Sequence, residues 1–87
     1  MGELSKLPNI GKTLELRLQE VGIDTPEQLR QLGAKEALLR LRRIDPGACL
    51  HELSALEGAI RGIPKKELPP EVKADLKAFH QSLPKGE

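Results

Sequence analysis

Cys49, Leu53, Leu56, Ile60 and Ile63 follow one another at steps of four, three, four and three residues. A half-buried strand alternates every second residue, so this rhythm belongs to one face of an α-helix. Leu50 and Ala59 widen the stripe. The rhythm returns in Val72, Leu76, Phe79 and Leu83, and shorter stripes run through Leu14, Leu18 and Val21 and through Ala37, Leu38, Leu41 and Ile44. Val, Ile and Thr are sparse and never alternate with polar residues, so nothing points to a sheet. The expected fold is all-α: a compact single domain of four or five helices.

Punctuation residues divide these stripes. Residues 2–7 offer either one helical turn around Leu4 and Leu7 or a frayed end. Pro8-Asn9-Ile10-Gly11 reads as a turn, because proline presets φ and both Asn and Gly tolerate the left-handed region. A first helix is expected over 12–21, with Gly22 as its stop. Thr25-Pro26-Glu27-Gln28 combines an N-cap, a proline where no N–H is needed, and a Gln placed to complete a capping box. That helix is expected to end at Gly33, and a third to run over 34–43. Asp45-Pro46 repeats the cap-and-proline pattern and is expected to open the longest helix, through Arg61 to Gly62. A linker from Pro64 to Leu68 leads to Pro69-Pro70, the start of the last helix. Pro84 stops it, leaving a core over about 4–83 and a loose tail over 84–87. Gly58 lies inside the long helix, where it costs ~1 kcal/mol relative to Ala. Beside Ala55 and Ala59, it is expected to admit another helix at close range.

The composition excludes several functions. Eighty-seven residues allow one domain. Fourteen basic and 13 acidic residues give a net charge of +1, too little for a polyanion-coating protein. With Phe79 as the sole aromatic, aromatic stacking on bases or sugar rings is close to excluded as a binding mode. Cys49 alone permits neither an internal disulfide nor a thiolate zinc cluster, and its place on the stripe predicts a buried, inert side chain. His51 points to another face and cannot serve it as a base, and His80 reads as a surface residue at a helix end. No nucleophile has an evident base, and no glycine-rich phosphate loop is present. An enzyme is therefore not expected, nor a cofactor, a metal or a small-molecule substrate. No apolar run approaches the ~20 residues needed to span a bilayer, so the expected location is the cytoplasm.

The informative motif is Leu7-Pro8-Asn9-Ile10-Gly11-Lys12 followed by a helix, then Val21-Gly22-Ile23-Asp24-Thr25 and a second helix. It resembles a helix-hairpin-helix element, departing from the usual glycine at Asn9. In such a hairpin the tight turn aims successive backbone amides outward at a helix N-terminus, where they accept a phosphate oxygen. Lys12 adds a charge beside them, Thr13 continues the same turn, and Ile10 locks the turn to the core. Lys35, Arg42 and Arg43, with Arg40 nearby, form either a secondary basic face or a solvated helix surface. Lys65 and Lys66 are balanced by Glu67 and Glu71 and read as solubility residues. Leu16 lies opposite Leu14 and is expected to be exposed, a candidate partner surface.

Over the longer span, the segment from Leu7 to Arg42, then Cys49 to Ile63, then Leu68 to His80, is similar to the C-terminal domain of the TfoX/Sxy competence regulators. The resemblance implies a helical, helix-hairpin-helix-like domain of a bacterial cytoplasmic protein. In the family it follows an N-terminal α/β domain, and the whole protein promotes transcription of DNA-uptake genes. No counterpart of that first domain is present, so a stand-alone version of one half is expected. The expected function is a non-catalytic regulatory module making weak, non-specific contact with double-stranded DNA through Asn9, Ile10, Gly11, Lys12 and Thr13. The alternative is a protein-interaction adaptor or small homodimer whose hairpin is purely structural.

Overall fold

Thr25 marks the clearest helix start, and a computed structural model of the protein shows how it works. Its Oγ1 accepts the Gln28 N–H at 3.2 Å, and the Gln28 side chain accepts the N–H groups of Thr25 at 3.2 Å and Asp24 at 2.6 Å. The structure describes residues 3–45 and 48–83, so the expected loose tail, like Pro46, lies outside the described residues. Among these are four helices and no strand: α1 (Lys12–Glu20), α2 (Pro26–Ile44), α3 (Leu50–Arg61) and α4 (Pro70–Ser82). Short 3-10 turns at Leu4–Lys6 and Lys65–Glu67 precede α1 and α4. The fold is all-α.

The two helices expected on either side of Gly33 are joined end to end in α2. Gly33 (φ 84°, ψ 159°) breaks the helical backbone where they meet. The long helix expected from Asp45 is shorter than its sequence signals suggest. Asp45 closes α2 instead, donating its N–H to the Leu41 carbonyl at 2.8 Å and accepting from the Ala48 N–H at 2.9 Å. An Asp-Pro pair suits a turn as well as a cap, and here α3 begins only at Leu50. Cys49 is consequently the N-cap of α3 and half-buried, rather than a buried member of the helical stripe. Ile44, expected to point inward, is 44% exposed at the last residue of α2, where the backbone leaves through Asp45.

The core gathers one face from every helix. Leu18, Leu29, Leu38, Leu41, Leu53, Leu56 and Leu76 are fully or almost fully buried, with Leu4 and Ile23 beside them. Complete burial of a leucine contributes about 1.5–3 kcal/mol. α3 packs against α2, α4 and the Lys65–Glu67 turn, while α1 leans on α2 and the first 3-10 turn. That first turn is pinned by Glu15, the one buried charged residue among the described residues, whose Oε2 accepts the Ser5 N–H at 3.1 Å.

Candidate nucleic-acid interface

The hairpin before α1 has the local geometry its residue types dictate. Asn9 is the one described non-glycine residue with positive φ (71°). Ile10 donates its N–H to the Leu7 carbonyl at 3.4 Å and is buried, anchoring the turn. Gly11 is the N-cap of α1 and brings no side chain to satisfy the first-turn amides. Among the described residues, no acceptor takes the N–H groups of Gly11, Lys12 or Thr13. Such amides carry the positive end of the helix dipole and take acceptors from solvent or a ligand.

The Asn9 side chain reaches to α3 and the turn that ends it. Its Nδ2 donates to the Ile63 carbonyl at 3.1 Å and the Ala55 carbonyl at 3.4 Å. Its Oδ1 accepts the Lys65 N–H at 3.2 Å. Gly58 makes room for this tie. A Cβ on Gly58 would stand 2.5 Å from Asn9 Nδ2 and 2.7 Å from the Ile63 carbonyl. The close approach that explains Gly58 is therefore a side chain and a helix-ending turn, not the second helix expected from sequence.

An open groove of about 390 Å³ results, lined by Gly11, Lys12, Thr13 and Arg17 on one side and His51, Glu52 and Lys65 on the other. Arg17 bridges Asp45 Oδ2 at 2.9 Å and Glu52 Oε2 at 3.1 Å, tying α1 to both ends of the α2–α3 connection. Glu52 Oε1 is buried and has no hydrogen-bond partner among the described residues. Lys12 and Lys65 form no ion pair among the described residues, whereas Lys35, Arg40 and Arg61 do.

The other candidate residues fall elsewhere. Lys35 pairs with Asp75 at 2.7 Å and lies 5.4 Å above the Phe79 ring, facing α4. Arg40 donates to the Val21 carbonyl at 3.3 Å, which binds the end of α1 to α2. Arg42 is half-buried and Arg43 exposed. Leu16 is 60% exposed, as expected. The role of Asn9 as a tie, the Arg17 bridge and the presence of Lys65 beside the hairpin were all missed by sequence reasoning. Each joins positions 28 to 56 residues apart, and no local signal marks such pairs. Among the described residues no cluster of His, Cys, Asp and Glu could hold a metal, and no helix is long and apolar enough to cross a membrane.

The fold and hairpin thus define a small helical domain in which a polar turn is locked against the end of α3. The chain belongs to the TfoX C-terminal domain family, whose model matches residues 1–80. It is 44% identical to Protein Sxy of Escherichia coli (strain K12) over 85 residues, which cover 97% of this chain and 41% of that protein. The chain therefore spans about two-fifths of this curated relative. Two crystal structures of proteins from Listeria monocytogenes, both without a known function, share the fold. A triclinic form has a TM-score of 0.90 at 52% identity, covering 91% of this chain and 90% of that one. A tetragonal form has a TM-score of 0.89 at 51% identity, covering 92% and 99%.

Proposed function

We propose that this domain is a non-catalytic regulatory module for DNA-uptake gene expression that touches the backbone of double-stranded DNA through Asn9, Ile10, Gly11, Lys12 and Thr13. The observation that carries this reading is the set of unaccepted amides at Gly11, Lys12 and Thr13, opening beside a lysine that has no carboxylate partner among the described residues. A phosphodiester oxygen meets both requirements, since it accepts hydrogen bonds and carries charge. Family membership supports the regulatory half of the reading. Contact with one or two phosphates corresponds to a dissociation constant of ~10⁻⁴ M or weaker at physiological salt. The net charge of +1 adds little long-range attraction.

Amide NMR during titration with duplex DNA tests the proposal. Resonances of residues 9–13 are expected to shift, and affinity to fall about 3- to 12-fold between 50 and 200 mM salt. Lys12→Glu is expected to abolish the shifts while leaving the fold intact. No shifts at 50 mM would sink the DNA reading. The exposed Leu16 on α1 favours the second reading, a protein partner or self-association. That reading predicts a concentration-dependent mass and shifts centred on Leu16.

A further inference from the structure

The hairpin supplies one wall of its groove, and the chain returns 56 residues later to supply the other. Lys65 lies in an exposed 3-10 turn, a setting in which a lysine backbone is ordinarily fixed by its neighbours alone. Here its N–H is held by Asn9 Oδ1, the side chain of the residue that forms the hairpin turn. Two further bonds from Asn9 Nδ2 fix that amide to the end of α3. Gly58 admits this close approach, since Lys65 Cα lies only 3.3 Å from where a Cβ at position 58 would be. The backbone of the lysine is thus held by the side chain of the residue that forms the hairpin turn. Lys12 and Lys65 share the groove, and neither is neutralised by a carboxylate among the described residues.

We infer that Lys65 is a second DNA-backbone contact, taking a neighbouring phosphate of the strand engaged by the hairpin, and that Asn9 is the positioning residue that holds it there. This inference rests on the proposed DNA reading and extends it from a one-sided to a two-sided site. Its ligand is a run of at least two phosphodiesters rather than an isolated phosphate.

The test is the salt dependence of duplex DNA affinity for the intact chain and four variants: Lys12→Gln, Lys65→Gln, Lys66→Gln and Asn9→Gly. Each phosphate contact contributes about 0.9 to the slope of log affinity against log salt, so the unaltered protein should show a slope near −1.8. Lys65→Gln should lower the slope by about 1, as should Lys12→Gln. Lys66→Gln should leave it unchanged, because Lys66 does not line the groove. Asn9→Gly keeps the positive φ accessible but removes the tie. It should reproduce the loss seen with Lys65→Gln, and combining the two should lower the slope no further. If Asn9→Gly fails to fold by circular dichroism, the comparison of Lys65 with Lys66 decides alone, since both lie in an exposed turn. Equal slopes for Lys65→Gln and the unaltered protein, with a reduced slope for Lys12→Gln, would overturn the second contact and leave the hairpin reading standing. Equal losses at Lys65 and Lys66 would also overturn it, as an effect of bulk charge. No binding to duplex DNA at 50 mM salt would remove both.

Discussion

Replacing Gly58 with alanine should destabilise the protein, against the general tendency of helices. In an open helix the change gains about 1 kcal/mol. At this site the new Cβ would lie 2.5 Å from Asn9 Nδ2, 2.7 Å from the Ile63 carbonyl and 3.3 Å from Lys65 Cα. The Asn9 amide can swing away, but the Ile63 carbonyl belongs to the turn that ends α3. The Ile63 N–H bonds to the Gly58 carbonyl at 2.9 Å and the Gly62 N–H to the Ala59 carbonyl at 3.2 Å. Overpacking against such a turn costs about 1–3 kcal/mol. Displacing Asn9 loses up to three neutral hydrogen bonds, each contributing about 0.5–1.5 kcal/mol, less where water takes over. After the propensity gain the net loss is about 2–3 kcal/mol, which lowers the melting temperature of a domain this size by about 10–20 °C. Thermal and urea unfolding followed by circular dichroism would measure it. The same substitution in an Asn9→Gly background meets only the carbonyl and Lys65, so its cost should shrink by about 1 kcal/mol. A melting temperature that rises or stays put would refute the packing argument, and additive costs would show that Asn9 is not the neighbour that matters.

Two further expectations concern backbone and burial. Gly33 and Gly62 both have positive φ and open space around an added Cβ, so conformation alone separates them. Gly62 (φ 77°, ψ 26°) occupies the left-handed region that Asn tolerates, whereas Gly33 (ψ 159°) lies where essentially only glycine is found. Urea unfolding should show Gly33→Asn losing about 2 kcal/mol and Gly62→Asn less than about 1, and equal losses would contradict the assignment. Glu15→Ala removes the buried acceptor of the Ser5 N–H, with an expected cost of about 2 kcal/mol and faster hydrogen exchange at Ser5. Unchanged stability and exchange would mean that the Ser5–Glu15 bond does not hold the first turn.

Features written in consecutive residues were legible before the structure. The capping box at Thr25, the breaks at Gly33 and Gly62, the proline start of α4 and the exposed Leu16 all depend on chemistry within about four positions. Asp45-Pro46 shows the limit of that reading. Its residues are those of a helix cap, yet Asp45 ends α2 and its carboxylate is taken by Arg17 from another helix. Gly58 showed that something approaches closely, because a mid-helix glycine needs a reason, but not that the visitor is Asn9. Lys65 carried no signal, since a lysine in a charged linker looks the same whether or not it faces a groove.

The tie from Asn9 to Lys65 also bears on the order in which the molecule assembles. Closing a segment of 56 residues costs roughly 3.5 kcal/mol of chain entropy beyond a constant term. Three hydrogen bonds contribute about 1.5–4.5 kcal/mol at most, which leaves little or nothing once the constant term is included, so the closure depends on α2, α3 and α4 condensing on their shared leucines. The hairpin turn is a local event available early, whereas the groove beside it is among the last features to appear. A fragment ending after α2 would keep every residue of the hairpin and have no groove at all.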